Sequence, residues 1–353
     1  MLLTTVLATL FAARALLSQA PPLQAPPLQA PLSQAPPSQA LPSQAKPLGE
    51  KPDQAQESQA QKRPSSADIA SPVRVCTDAH RANENAQRAG ELIVHWEPAV
   101  PHAGSLFRVF VSSAATTAGA GATVASEPLH FHAASHGMVA WSAVPIDSTN
   151  GVSLELRCAN GSNASVRISS VAGNYKLEQL RVAPKFVTPP DSALAARLRS
   201  EADQAAGVAR GAHDTPRLWN AAFVAPRTSR ITSGFGGGRT FNGTVESRHM
   251  GTDYAGHVGD PVRAANRGVV RLIGAFYLGG NVIYLDHGEG IVTAYLHLSR
   301  QLVQVGDTVQ RGAVIGRVGA TGRVTGPHLH LIARFGITTI DAASLFAMQD
   351  STQ

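Results

Sequence analysis

The chain has 353 residues, a net charge of +6 and a pI of about 9.7, long enough for two ordinary domains plus unstructured sequence. Its apolar share of 43% is that of a globular protein, while its aromatic share of 5% is low. The basic excess favours anionic partners. No arginine-rich stripe with interleaved aromatics accompanies it, which argues against nucleic acid and leaves an anionic cell envelope.

Residues Met1 to Ala20 hold an apolar run too short to span a bilayer comfortably. Small-residue endings at Ala13-Arg14-Ala15 and Ser18-Gln19-Ala20 suit a signal peptidase, so 1–20 reads as an export signal, although no Lys or Arg precedes the run. The mature chain should then carry no membrane span. Residues 21–72 drift through PPLQA, PPLQA, PLSQA, PPSQA and LPSQA. Proline this frequent blocks helix hydrogen bonding and leaves no amphipathic period, so the segment reads as a disordered tether.

Residues 73–185 change to short apolar runs with turn residues between many of them: Glu91–Trp96, Leu106–Ser112, Met138–Val144, Val152–Cys158 and Ser165–Val171. The β-branched and aromatic content of most of them predicts an immunoglobulin-like β-sandwich. Cys76 and Cys158, neither in a CxxC pair, lie near its two ends and suit one disulfide in an oxidising compartment. His130 and His132 share a strand face and lie near His136, but with no acidic or cysteine partner nearby they read as solvated polar positions on an edge strand. Residues 186–222 are a linker with a connecting helix, in which Asp191 or Ser192 caps a run whose apolar stripe includes Leu194 and Leu198.

The chemistry is concentrated in residues 223–347, ahead of a short tail at 348–353. Five residues stand out: His249 and Asp253 in SRHMGTDYAG, His297 in YLHLS, and His328 and His330 in TGPHLHLIAR. Imidazole and carboxylate are zinc-type donors, and a catalytic zinc site uses three protein ligands with an open position. Five such residues divide into three ligands and two spare histidines fit for acid–base work. Alternation in LHLIAR puts His328 and His330 on one strand face, with Leu329 and Leu331 turned to the core. The same parity in IVTAYLHL groups His297 with Thr293 and Tyr295. Gly251 and Gly256 argue for a strand and turn, not a helix, around His249 and Asp253. His257 and His287 read as structural or solvated, Glu289 as part of a hairpin turn, and VGATGRVTG as a tight loop beside the site.

His-x-x-x-Asp, an isolated His in Tyr-x-His-Leu-Ser and Gly-Pro-His-Leu-His, in this order, resemble the signature of lysostaphin/LytM-type peptidoglycan peptidases. The stretches GDPVRAANRGVVRLIG and GGNVIYLDHGEGIVTAYLHLS match as well, and the resemblance runs closely from about Arg230 to Phe346. It implies a small, mostly antiparallel β domain of the barrel-sandwich-like kind with a duplicated hybrid motif. It also implies one zinc ion held by His249, Asp253 and His330, with His297 and His328 lining its open side as catalytic residues. Met250 stands where Gly is frequent, and HLHLIAR replaces the commoner HLHFEVR, which changes groove shape without removing a ligand.

The expected activity is zinc-dependent hydrolysis of peptidoglycan stem-peptide cross-links by an exported protein of the bacterial periplasm or cell envelope. The rival readings are a non-catalytic activator of cell-wall amidases, which in such relatives goes with loss of metal ligands, and a peptidoglycan-binding protein. The sandwich is expected to restrain access to the groove, set at an angle by Val182–Pro190.

Overall fold

The computed structural model describes residues 69–76, 92–112 and 121–348, apart from 149, 159, 160, 174, 188 and 244. The expected export signal, most of the tether and nearly all of the tail lie outside them; Met348, at the start of that tail, is buried.

The first part folds from β1 (Val73–Val75), β2 (Leu92–Glu97), β3 (Leu106–Val111), β4 (Ala122–Val124), β5 (Glu127–Pro128), β6 (His132–Ala134), β7 (Gly137–Ala143), β8 (Val152–Arg157) and β9 (Asn163–Ile168). Two sheets form, ordered β1-β2-β3-β7-β6 and β5-β4-β8-β9. Alternation drives their packing: in β2, Leu92, Val94 and Trp96 are buried while their neighbours are partly exposed, and they meet Leu154, Leu156 and Ile168 of the other sheet in one core. The result is a two-sheet antiparallel β-sandwich. Cys76 and Cys158 are bonded, with Cα atoms 5.6 Å apart.

Beyond the sandwich, β10 (Leu177–Leu180) leads to α1 (Ser192–Gly211). Asp191 caps α1, its carboxylate accepting from the Leu194 amide at 2.7 Å. The face buried by α1 differs from the expected leucine stripe: Leu194 and Leu198 are half-buried, whereas Ala205 and Ala209 are buried. Small side chains let the helix lie close to the sheet, where Ala205 and Ala212 pack with Val282, Tyr284 and Val292. Trp219 and Phe223 then enter the main core.

The remaining strands are β11 (Ile231–Ser233), β12 (Gly238–Phe241), β13 (Val245–Arg248), β14 (Thr252–Ala255), β15 (Pro261–Arg263), β16 (Gly268–Phe276), β17 (Gly280–Gly288), β18 (Ile291–Leu298), β19 (Arg300–Gln301), β20 (Thr308–Val309), β21 (Val314–Arg317), β22 (His328–Phe335) and β23 (Thr338–Ile340), followed by α2 (Ala342–Phe346). Eight of them form one antiparallel sheet, β11-β14-β22-β18-β17-β16-β20 with β23 on β22; β15, β21 and β19 form a small sheet beside it. The hairpin β12–β13 pairs through β12 with β10, in parallel.

His130 and His132, expected as solvated positions, have partners. His130 meets His213 (2.9 Å), whose other nitrogen meets the buried Glu127 carboxylate (2.9 Å), and His132 meets Glu289 (2.6 Å). Glu127 also accepts from the Ile337 amide at 2.7 Å and packs against Gly336. These contacts join the sandwich to the end of α1 and to the eight-stranded sheet: Glu127, only three residues before His130, reaches it through the distant His213, and Glu289 is distant in sequence from His132. Glu289 occupies the β17–β18 turn with φ 52°, the hairpin position expected of it. His257 is exposed. Among the described residues no helix is long and apolar enough to cross a membrane.

His287 is fully buried, and of its two expected roles only the structural one holds. Its Nδ1 donates to the Arg267 carbonyl, which leaves Nε2 to take the Thr293 hydroxyl, both at 2.8 Å. Burial pulls its pKa down from 6.5 to about 4. Over that window the unfolded chain binds a proton that the folded chain refuses. Stability is therefore full above about pH 6.5 and falls as the pH drops towards about 4, which denaturant midpoints across that range will show. Replacing Cys76 and Cys158 by Ser releases a loop of 82 residues and is expected to cost the sandwich about 4–5 kcal/mol, checked by melting with and without reductant.

Candidate metal centre

Strand parity builds the site from β22 outward. Leu329, Leu331, Ala333 and Phe335 are buried in the main core, so His328 and His330 face the other side. On one flank Asp253 of β14 stands opposite His330, and Tyr254 opposite Leu329. On the other flank Leu296 of β18 stands opposite His330, and Tyr295 opposite Leu331. Asp253, Leu296 and His330 thus share one face.

The sequence groups His297 with Thr293 and Tyr295 by alternation, and in the structure that face of β18 turns to the main core. The structure corrects the grouping of His297. Asn281 pairs with Leu298 while Ile283 pairs with Tyr295, so β18 carries one residue more than β17 across this step. His297 takes φ 63° in that bulge. A left-handed residue in a bulge re-aims its side chain, and the His297 ring lies 5.0 Å from that of His328 and 5.8 Å from that of His330, centroid to centroid.

His249 arrives from the β12–β13 hairpin, its amide donating to the Gly237 carbonyl (2.7 Å). Gly251 makes room for the approach: a Cβ there would lie 2.5 Å from the Leu331 carbonyl and 2.6 Å from the His330 ring. His249 Nε2, Asp253 Oδ1 and His330 Nδ1 then converge, at 3.1 Å, 3.0 Å and 2.7 Å for His249–Asp253, His249–His330 and His330–Asp253. Among the described residues this trio forms a cluster able to hold a metal ion. Two nitrogens and one carboxylate oxygen aimed at one point fit a divalent cation of the zinc type.

Backbone carbonyls set the tautomers. His249 Nδ1 donates to Gly234 (2.6 Å), His297 Nδ1 to Thr321 (2.8 Å) and His328 Nδ1 to Gly326 (2.8 Å). A carbonyl only accepts, so each ring turns the Nε2 lone pair inward. The loop 319–327, nearly all of it within the stretch Val318–Gly326 expected as a tight loop beside the site, supplies two of these three carbonyls.

Sequence reasoning missed the groups behind the cluster. Arg239 donates to the second oxygen of Asp253 (2.7 Å), to Ser233 (2.8 Å) and to Glu178 (3.1 Å). Ser233 donates to Glu178 (2.7 Å) and sits 3.1 Å from His249 Nδ1. Glu178 belongs to β10, and no motif in the sequence links it to residues 55 to 75 positions later. Burial pushes the Asp253 carboxyl up, but hydrogen bonds and charge from His249 and His330 outweigh it and hold the carboxyl well below the usual range. Burial pulls His330 below its ordinary value against the influence of Asp253. His297 falls to about 3 through burial and then through repulsion by His330 and His328. The cluster lies in an open groove of about 900 Å³.

Residues 247–342 match the model of peptidase family M23. These residues form a peptidase M23 domain. Over 102 residues it is 45% identical to the peptidoglycan DD-endopeptidase ShyC of Vibrio cholerae, covering 29% of this chain and 24% of the relative. Over 97 residues it is 43% identical to the DD-carboxypeptidase/endopeptidase Mpg of Neisseria meningitidis, covering 28% and 22%. The match thus spans about a quarter of each relative's length. A Pseudomonas aeruginosa crystal structure assigned to peptidase M23 superposes with a TM-score of 0.54 at 26% identity, covering 70% of this chain and 96% of that one. That overlap reaches well beyond the M23 domain into the sandwich.

Because Glu178 reaches the M23 cluster only through Arg239 and Ser233, Glu178→Ala should leave all three donors in place. It is expected to weaken zinc affinity roughly 10–100-fold, the usual cost of losing such support. Competition with a chelator measures the change.

Proposed function

We propose that the M23 domain is a zinc-dependent endopeptidase that hydrolyses D-alanyl–diaminopimelate cross-links of peptidoglycan, and that the protein is exported to the periplasm or cell envelope. The reading is carried by one observation: His249 Nε2, Asp253 Oδ1 and His330 Nδ1 converge in an open groove, with the Nε2 atoms of His297 and His328 turned to the same space. The names of the relatives support the substrate class and the bond type.

His249, Asp253 and His330 would hold one zinc ion. When bound, zinc supplies a Lewis acid that polarises the scissile carbonyl and makes water acidic enough to attack near neutral pH. The residues do the rest. Arg239 keeps the second Asp253 oxygen occupied, so Oδ1 alone points to the cluster. His297 and His328 present lone pairs, not protons. One of them accepts the proton of the attacking water, and only after that has it a proton to hand to the leaving amine. Leu296, buried opposite His330, closes the floor of the groove.

All five residues that a non-catalytic relative would be expected to lose stand together here, which favours the enzyme over a regulator or a simple binder. His249→Ala or Asp253→Ala should lose both zinc and activity, with zinc read by elemental analysis. His297→Ala should keep zinc and lose turnover roughly 10²–10⁴-fold, the usual contribution of proton transfer. Digestion of defined sacculi, with muropeptides read by mass spectrometry, tests the bond. Monomeric tetrapeptide products from D-alanyl–diaminopimelate cross-links support the reading, and sacculi left intact by the zinc-loaded chain overturn it.

A further inference from the structure

The groove holds a cation that the catalytic scheme above does not use. Arg323 sits in loop 319–327, five residues before His328, and lines the same groove as the zinc-type cluster. It is held at two points. Its amide donates to the Leu278 carbonyl at 2.8 Å, and its guanidinium lies over the Phe241 ring, 4.2 Å from the centroid. Phe241 is two residues beyond Arg239 on β12, so the strand that carries the arginine bracing Asp253 also carries the ring under Arg323, and both arginines line the one groove.

The two arginines differ in their partners. Arg239 is neutralised by Glu178 and Asp253. Arg323 is half-buried, and no carboxylate among the described residues pairs with it; its charged neighbour is Arg239, which, after burial, adds to the downward pull on its pKa. A guanidinium stays protonated nonetheless. A cation withdrawn from water and left without a counterion is costly, and a ring face offsets only part of that cost. The planar fork matches a carboxylate in bidentate fashion, and its exposed side opens into the groove. Phe241 and Leu278 fix its position before any ligand arrives.

Resting on the endopeptidase reading above, we propose that Arg323 is the specificity-determining residue that binds the free carboxylate beside the scissile amide. In a D-alanyl–diaminopimelate cross-link the leaving amine sits on a carbon that bears such a carboxylate. In a glycine bridge the corresponding carbon carries the next amide instead. Arg323 thus selects cross-links whose leaving side is an amino acid with an unblocked carboxyl group.

The test uses the full zinc-loaded chain and two synthetic cross-linked peptides, identical except that the carboxylate beside the scissile nitrogen is free in one and amidated in the other. The unaltered protein should prefer the free carboxylate by roughly 10–100-fold in kcat/KM, the worth of a charged hydrogen-bonded pair. Arg323→Gln should abolish that preference by raising KM for the free-carboxylate peptide, with the amidated peptide and zinc content unchanged; Arg323→Lys should restore part of it. Equal rates on both peptides with the unaltered protein, or a preference that survives Arg323→Gln, overturn the proposal. If the unaltered protein cuts neither peptide, the endopeptidase reading fails, and calorimetric binding of the same two peptides then decides the role of Arg323. Tighter binding of the free carboxylate that Arg323→Gln removes supports it, and equal binding overturns it.

Discussion

Three hydrogen bonds from imidazole Nδ1 to backbone carbonyls, at His249, His297 and His328, govern the groove. Each fixes a tautomer, and each turns a lone pair towards the space where Asp253 and His330 also point. Without them, rings so close together could exchange roles, and ligand and proton acceptor would be interchangeable. The carbonyls belong to Gly234, Thr321 and Gly326, residues with no acid–base chemistry of their own. Backbone geometry, not side-chain identity, therefore assigns the work. The loop 319–327 carries two of those carbonyls and also Arg323, so the part that orients the rings also places a groove cation that no carboxylate among the described residues pairs with.

The site is braced by sequence far from its motifs. Glu178, on the parallel strand that follows the sandwich, links Arg239 and Ser233, and through them Asp253 and His249. Leu180 and Val182 line the groove nearby. The same segment is tied to the β12–β13 hairpin by paired hydrogen bonds between Val182 and Asn242, both at 2.9 Å. A segment that flanks the groove and also supports its ligands gives the front half of the chain two influences on the cluster, and simple removal of that half would disturb both. The Glu127–His213–His130 and His132–Glu289 contacts add a second point at which sandwich and M23 domain are joined.

Charge is distributed with the same economy. Arg239 spends its donors on Asp253, Ser233 and Glu178, leaving Asp253 ionised with one oxygen free. That oxygen gives the trio its one carboxylate donor beside two imidazole nitrogens, a set that suits a divalent cation of the zinc type.

The sequence by itself determined which side chains are available: the five imidazole and carboxylate residues gathered at the groove, the sandwich strands, the capped helix and the tight glycine loop all follow from residue type, spacing and local periodicity. It placed His328 and His330 correctly because β22 alternates without interruption. It misplaced His297, because a bulge adds a residue and reverses parity, and nothing in YLHLS announces the register of the neighbouring strand. It likewise read His130 and His132 as solvated, since their partners Glu127, His213 and Glu289 come together only when α1 and the β17–β18 turn pack on the sandwich. Glu178, Arg239 and the Phe241–Arg323 stack were invisible for the same reason. Local pattern specifies which side chains are available and which face they take within an unbroken strand; long-range register and packing decide which of them meet.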